Sequence, residues 1–108
     1  MRTVLLLTRD TLGQGDRTLG QRLLGAFLAR GHVLGDLDAI VFMNEGVRLV
    51  AAGSPVLAEI TALHEAGVDL HPCGTCLAFY GLKPVPCPAS DMDAIVRVLA
   101  KAGKVIGL

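Results

Sequence analysis

Residues 3–8, Thr3-Val4-Leu5-Leu6-Leu7-Thr8, are a continuous apolar run closed by a threonine at each end. A strand with one wet face alternates apolar and polar residues, and this run does not. It therefore reads as a strand covered on both faces, the kind found in parallel sheets between layers of helices. A turn follows from Asp10 to Gly15, with Gly13 and Gly15 supplying backbone freedom. Asp16 is then placed as the N-cap of a helix running to about Arg30. Leu19, Leu23, Leu24, Phe27 and Leu28 share its broad apolar face, and Gly31 stops it.

The same alternation continues outward from this first unit. Ala39-Ile40-Val41-Phe42-Met43 is a second buried strand, ending at Asn44-Glu45-Gly46, with a short helical turn predicted over 47–51. Ser54 followed by Pro55 reads as an N-cap with proline at the first helical position, opening a helix with Leu57, Ile60 and Leu63 inward. Residues 68–71 form a third strand, and 74–80 a short helix ended by Gly81. Three prolines among residues 84–88 cannot fill a hydrogen-bond ladder, so a strand there would be short or at an edge. Ser90 with Asp93 resembles a capping box for a helix to about Ala102, and Lys104-Val105-Ile106 is the last strand. The expectation is one α/β domain over residues 1–108, a parallel sheet with helices on both faces and its chemistry at the carboxyl ends of the strands.

Composition narrows the function classes. Of 108 residues, 52% are hydrophobic and 19% charged, which excludes a disordered chain. Ten basic and ten acidic residues cancel, and only four residues are aromatic: Phe27, Phe42, Phe79 and Tyr80. A nucleic-acid partner is therefore not expected, since phosphates demand clustered cations and bases demand stacking surfaces. No uncharged apolar stretch is long enough to span a membrane, and Val4 to Leu7 is too short for a signal-peptide core. The expected compartment is the cytoplasm. The high apolar content in so small a chain points to a homo-oligomer.

The sharpest motif is His71-Pro72-Cys73-Gly74-Thr75-Cys76, between a predicted strand and a predicted helix. Unpaired N–H groups and the dipole at a helix start favour thiolate over thiol, and thiolate is the nucleophile. Cys73 is the candidate nucleophile, and Cys76, about one turn on, can reach the same sulfur. Gly74 and Thr75 are expected to turn backbone N–H groups toward the anion, with His71 a further neighbour. Asn44, ending the second strand, could donate to the sulfur or to this loop, or simply cap the turn after it.

Other readings of these residues stay open. The cysteines could be small core residues. His71, Cys73, Cys76 and Cys87 could together hold zinc, although zinc modules usually pair two such motifs. The C-x-x-C beside a βαβ pattern could also be a thioredoxin-type dithiol, but it follows the third strand and lacks an upstream aromatic. Gly13-Gln14-Gly15 is not a nucleotide loop: position 18 is Thr18 rather than glycine, no Walker lysine follows, and Asp16 would repel a phosphate. No cofactor and no metal is expected.

Taken with Thr8 to Asp16, Val41 to Val47, Gly53 to Leu57 and Lys104 to Ile106, the stretch Cys73-Gly74-Thr75-Cys76-Leu77-Ala78-Phe79-Tyr80-Gly81-Leu82 resembles the DsrE/DsrF-like family. Within it the similarity is to the C-terminal domain of the YedF family of sulfurtransferase-like selenium-metabolism proteins. The resemblance covers essentially the whole chain. It implies a three-layer α/β/α sandwich, flavodoxin-like, on a mostly parallel five-stranded sheet, often assembled into homo- or hetero-oligomers. It also implies a sulfur or selenium carrier, with the persulfide cysteine at Cys73, because Cys73 and Gly81 have the family's spacing. Many relay members have no counterpart of Cys76. The chain opens at Met1 without the TusA-like domain that commonly precedes this one, so donor and acceptor are expected to be separate proteins, a TusA-like donor among them. A thiol-disulfide protein cycling Cys73 and Cys76 and a non-catalytic oligomeric subunit are the alternatives.

Overall fold

The computed structural model describes residues 2–108. The first apolar run is β1 (Thr3–Leu7), and Asp16 caps α1 (Arg17–Ala29) by accepting a 2.8 Å bond from the Leu19 N–H. β2 (Leu37–Phe42), a 3₁₀ turn (Asn44–Val50), α2 (Leu57–Glu65), β3 (Asp69–Pro72), α3 (Gly74–Tyr80), α4 (Met92–Lys101) and β4 (Lys104–Gly107) follow. The strands form one parallel sheet in the order β3-β2-β1-β4. The units β1-α1-β2 and β2-α2-β3 step across it in one direction, whereas the connection from β3 through α4 to β4 returns in the other. Parallel crossovers are right-handed, so α1 and α2 lie on one face and α4 on the opposite one. Accordingly α1 packs beside α2, while α4 covers Val4, Ala39 and His71.

The core is the doubly covered sheet: Leu5, Ile40, Val41 and Phe42 are fully buried, joined by Leu24, Leu28 and Ile60 from the helices. Continuous apolar runs are legible because each strand residue meets a helix on one side or the other. β4 departs from this rule. It is an edge strand whose Val105 remains 44% exposed.

Several expectations need correction. Among the described residues the sheet has four strands, not five. The proline-rich segment is reduced to isolated bridges, Ala51 with Pro84 and Cys73 with Ser90. Prolines at 84, 86 and 88 have no N–H to give a ladder, so only Ser90 pairs with the outer side of β3, donating to the Pro72 carbonyl at 2.7 Å and accepting from the Gly74 N–H at 2.8 Å. That use of Ser90 moves the helix cap one residue on, to Asp91, whose carboxylate accepts the Ala94 N–H. In α2 the chain makes a turn after Ser54 and becomes helical only at Leu57. On α1, Leu24 and Leu28 are buried but Leu19 and Leu23 are exposed, so the inward stripe is narrower than the apolar one.

Candidate functional site

The carboxyl ends of β1, β2 and β3 converge on one edge of the sheet, and the loops leaving them make the site. After β1 the backbone turns through Gly13 (φ +81°) and Gly15 (φ +145°), and the Asp10 carboxylate, nearly buried, is gripped by both terminal nitrogens of Arg17 at 2.6 and 3.2 Å. Residues of this loop, with Asn44 and Glu45, surround a polar hollow of about 450 Å3.

After β2, Asn44 takes a left-handed conformation (φ +52°), which lets the chain enter its 3₁₀ turn directly. Gly46 sits so close to β1 that a Cβ there would stand 2.1 Å from the Leu7 carbonyl oxygen. The backbone N–H of Asn44 consequently points across to the next loop and donates to Cys76 Sγ at 3.1 Å. Its side chain reaches the same helix one turn on, with the Asn44 Oδ1 accepting the Tyr80 hydroxyl at 2.7 Å. The Arg48 guanidinium lies 4.4 Å from the centre of the Tyr80 ring. Asn44 is thus a partner of the thiol loop through its main chain, where the sequence offered either a donor or a cap.

After β3, Cys73 ends the strand and stands at the cap position of α3, and Gly81 closes that helix in the left-handed conformation. Cys73 is only 2% exposed and belongs to the core. Cys76 is half-buried on the first turn and lines an open, mostly apolar hollow of about 550 Å3 with Met43, Asn44, Thr75, Phe79 and Tyr80. All three cysteines are free. Burial raises the Cys76 thiol above its usual range; the Asn44 N–H and its own N–H oppose that rise, and the neighbouring Cys73 adds to it. Burial alone pushes Cys87 up to about 11.

The structure therefore gathers Cys73, Cys76, Thr75 and Asn44, and it separates two others. Gly74 gives its N–H to the Ser90 carbonyl, so that donor is not free for a sulfur anion. His71 lies on the α4 side of the sheet with Nδ1 3.3 Å from Ser90 Oγ. Among the described residues, no three His, Cys, Asp or Glu side chains are grouped to hold a metal ion. Tyr80 and Arg48 were missed by the sequence reading. Tyr80, four residues after Cys76, lies on the same helical face, and that spacing was the available signal.

A doubly wound parallel sheet with a thiol pair where its third strand meets a helix defines a class of small α/β proteins with paired cysteines at the sheet's carboxyl edge. The chain belongs to the DsrE/DsrF-like family, whose model matches residues 1–108. Among solved structures it is similar to the ychN protein from E. coli, with a TM-score of 0.70 and 16% identity over 100% of both chains, a likeness of fold. No curated protein matches it. No helix among the described residues is long and apolar enough to cross a membrane.

Proposed function

We propose that the protein carries sulfane sulfur as a persulfide on the Cys73/Cys76 pair, resting on Cys73 and passing between separate donor and acceptor proteins. One observation carries the reading: two free thiols three residues apart stand where β3 meets α3, one sealed in the core and one facing an open hollow with a backbone N–H on its sulfur. Membership of a family with sulfur-relay members is consistent with it. Thiolate attack on the outer sulfur of a persulfide transfers that atom and releases the donor's thiolate, and the reverse exchange delivers it. A buried resting position keeps the persulfide from stray thiols, which suits a carrier better than a protein that must exchange disulfides freely. The resemblance of the Cys73 to Leu82 stretch to YedF proteins supports a donor of the TusA-like kind, and selenium is the heavier analogue the same exchange would accept. Leu19, Leu23, Val33, Val96 and Val105, all large, apolar and exposed, support assembly with further copies of the chain.

The test is intact mass spectrometry of reduced protein after exposure to a low-molecular-weight persulfide. Wild type is expected to gain the mass of one sulfur atom, and Cys73→Ser/Cys76→Ser to gain none. A loss of two hydrogens in wild type with no sulfur retained would replace this reading with dithiol redox chemistry.

A further inference from the structure

The pair is asymmetric in a way that the family spacing around Cys73 does not indicate. Cys73 Sγ belongs to a residue 2% exposed that is part of the hydrophobic core. A donor's persulfide has to approach the attacking sulfur in line with the bond it breaks, which needs several ångströms of open space behind that bond. Only Cys76 has it, in the hollow between Met43 and Phe79, and Phe79 is 80% exposed at the rim. Cys76 is also the thiol whose sulfur already accepts a main-chain N–H, at 3.1 Å from Asn44. A charge-assisted bond of that kind strengthens as the thiol becomes thiolate. Tyr80 fixes the orientation of that donor by bonding the Asn44 side chain.

Resting on the sulfur-carrier reading above, we infer that Cys76 is the residue that exchanges sulfur with the outside and Cys73 the one that stores it. The Cys76 thiolate attacks the outer sulfur of a donor R–S–SH, the donor's S–S bond breaks, and R–S⁻ leaves, giving Cys76–S–SH. Cys73 thiolate then attacks the same outer sulfur. The Cys76 sulfur leaves as thiolate and accepts the proton that Cys73 gave up, and Cys73–S–SH remains in the core. Delivery runs these steps backward. Tyr80 and Asn44 are positioning residues for the first step.

The experiment uses glutathione persulfide as donor, with quenched time points read by intact mass and by fragmentation of the peptide holding both cysteines. A Cys87→Ser background removes the third thiol. Cys73→Ser is expected to take up one sulfur, located on Cys76, at a rate within threefold of wild type. Cys76→Ser, its thermal unfolding unchanged, is expected to load at least tenfold more slowly. In wild type the early label lies on Cys76 and the late label on Cys73. If Cys76→Ser loads as fast as wild type, or Cys73→Ser takes no sulfur while wild type does, the division of roles is wrong although the carrier reading stands. If wild type takes no sulfur, the carrier reading itself fails and this one with it.

Discussion

Replacing Tyr80 with Phe deletes a single hydroxyl and leaves the ring in place over Arg48, so it isolates the bond to Asn44 Oδ1. Asn44 holds φ +52°, a conformation costing an ordinary residue roughly 1–2 kcal/mol. The Tyr80 bond, worth about 1 kcal/mol net, is the side-chain contact that secures it. Once released, Asn44 no longer holds its N–H on Cys76 Sγ. A hydrogen bond to a charged group contributes about 1.5–3 kcal/mol, and the lower end applies because the hollow is open to solvent. That is about a factor of ten in the thiolate population. The Cys76 thiol, already raised by burial, should rise further. Since only thiolate reacts, alkylation of Cys76 at neutral pH should slow about tenfold.

The assay is the pH dependence of iodoacetamide alkylation in a Cys73→Ser/Cys87→Ser background. Asn44→Gly supplies the control, because glycine takes positive φ without an anchor and keeps its N–H. It should titrate close to the parent, and adding Tyr80→Phe to it should change nothing. The reasoning is refuted if Tyr80→Phe leaves the titration where it was, or if the shift survives at full size beside Asn44→Gly.

Gly46→Ala should be among the most destabilising substitutions in the chain, because its Cβ would stand 2.1 Å from a backbone oxygen of β1 that cannot yield. A cost of about 3 kcal/mol, at the upper end for overpacking, would lower the melting temperature by on the order of 12 °C in a scan followed by circular dichroism. At micromolar concentration, size-exclusion chromatography with light scattering should show a mass above that of one chain, and Val96→Lys with Val105→Lys should lower it. A monomeric wild type would leave the exposed apolar side chains without a partner copy.

Much of the architecture was legible because local and tertiary signals agree. Runs such as Val4 to Leu5 and Ile40 to Phe42 are buried on both faces, so their meaning does not depend on what packs against them. Asp16, Gly81 and the glycines after β1 act within a few residues of themselves, where sequence spacing is also spatial distance. The misreadings share the opposite character. Ser90 looked like a local cap and is taken by a strand edge eighteen residues earlier, while Leu19 and Leu23 lie on the apolar side of their helix but stay exposed.

The sequence by itself determined the doubly covered parallel sheet, the placing of a thiol pair at the end of its third strand, and the family. Those follow from apolar periodicity and a contiguous motif. Only the tertiary structure decided which thiol faces solvent. The sealing of Cys73 depends on the core that packs from distant parts of the chain, and the bond on Cys76 depends on a main-chain N–H thirty-two residues away. A backbone donor can be aimed by any residue type, so its identity leaves no mark in the sequence; its direction is set by the close approach of Gly46 to Leu7 and by the reach of Tyr80 to Asn44.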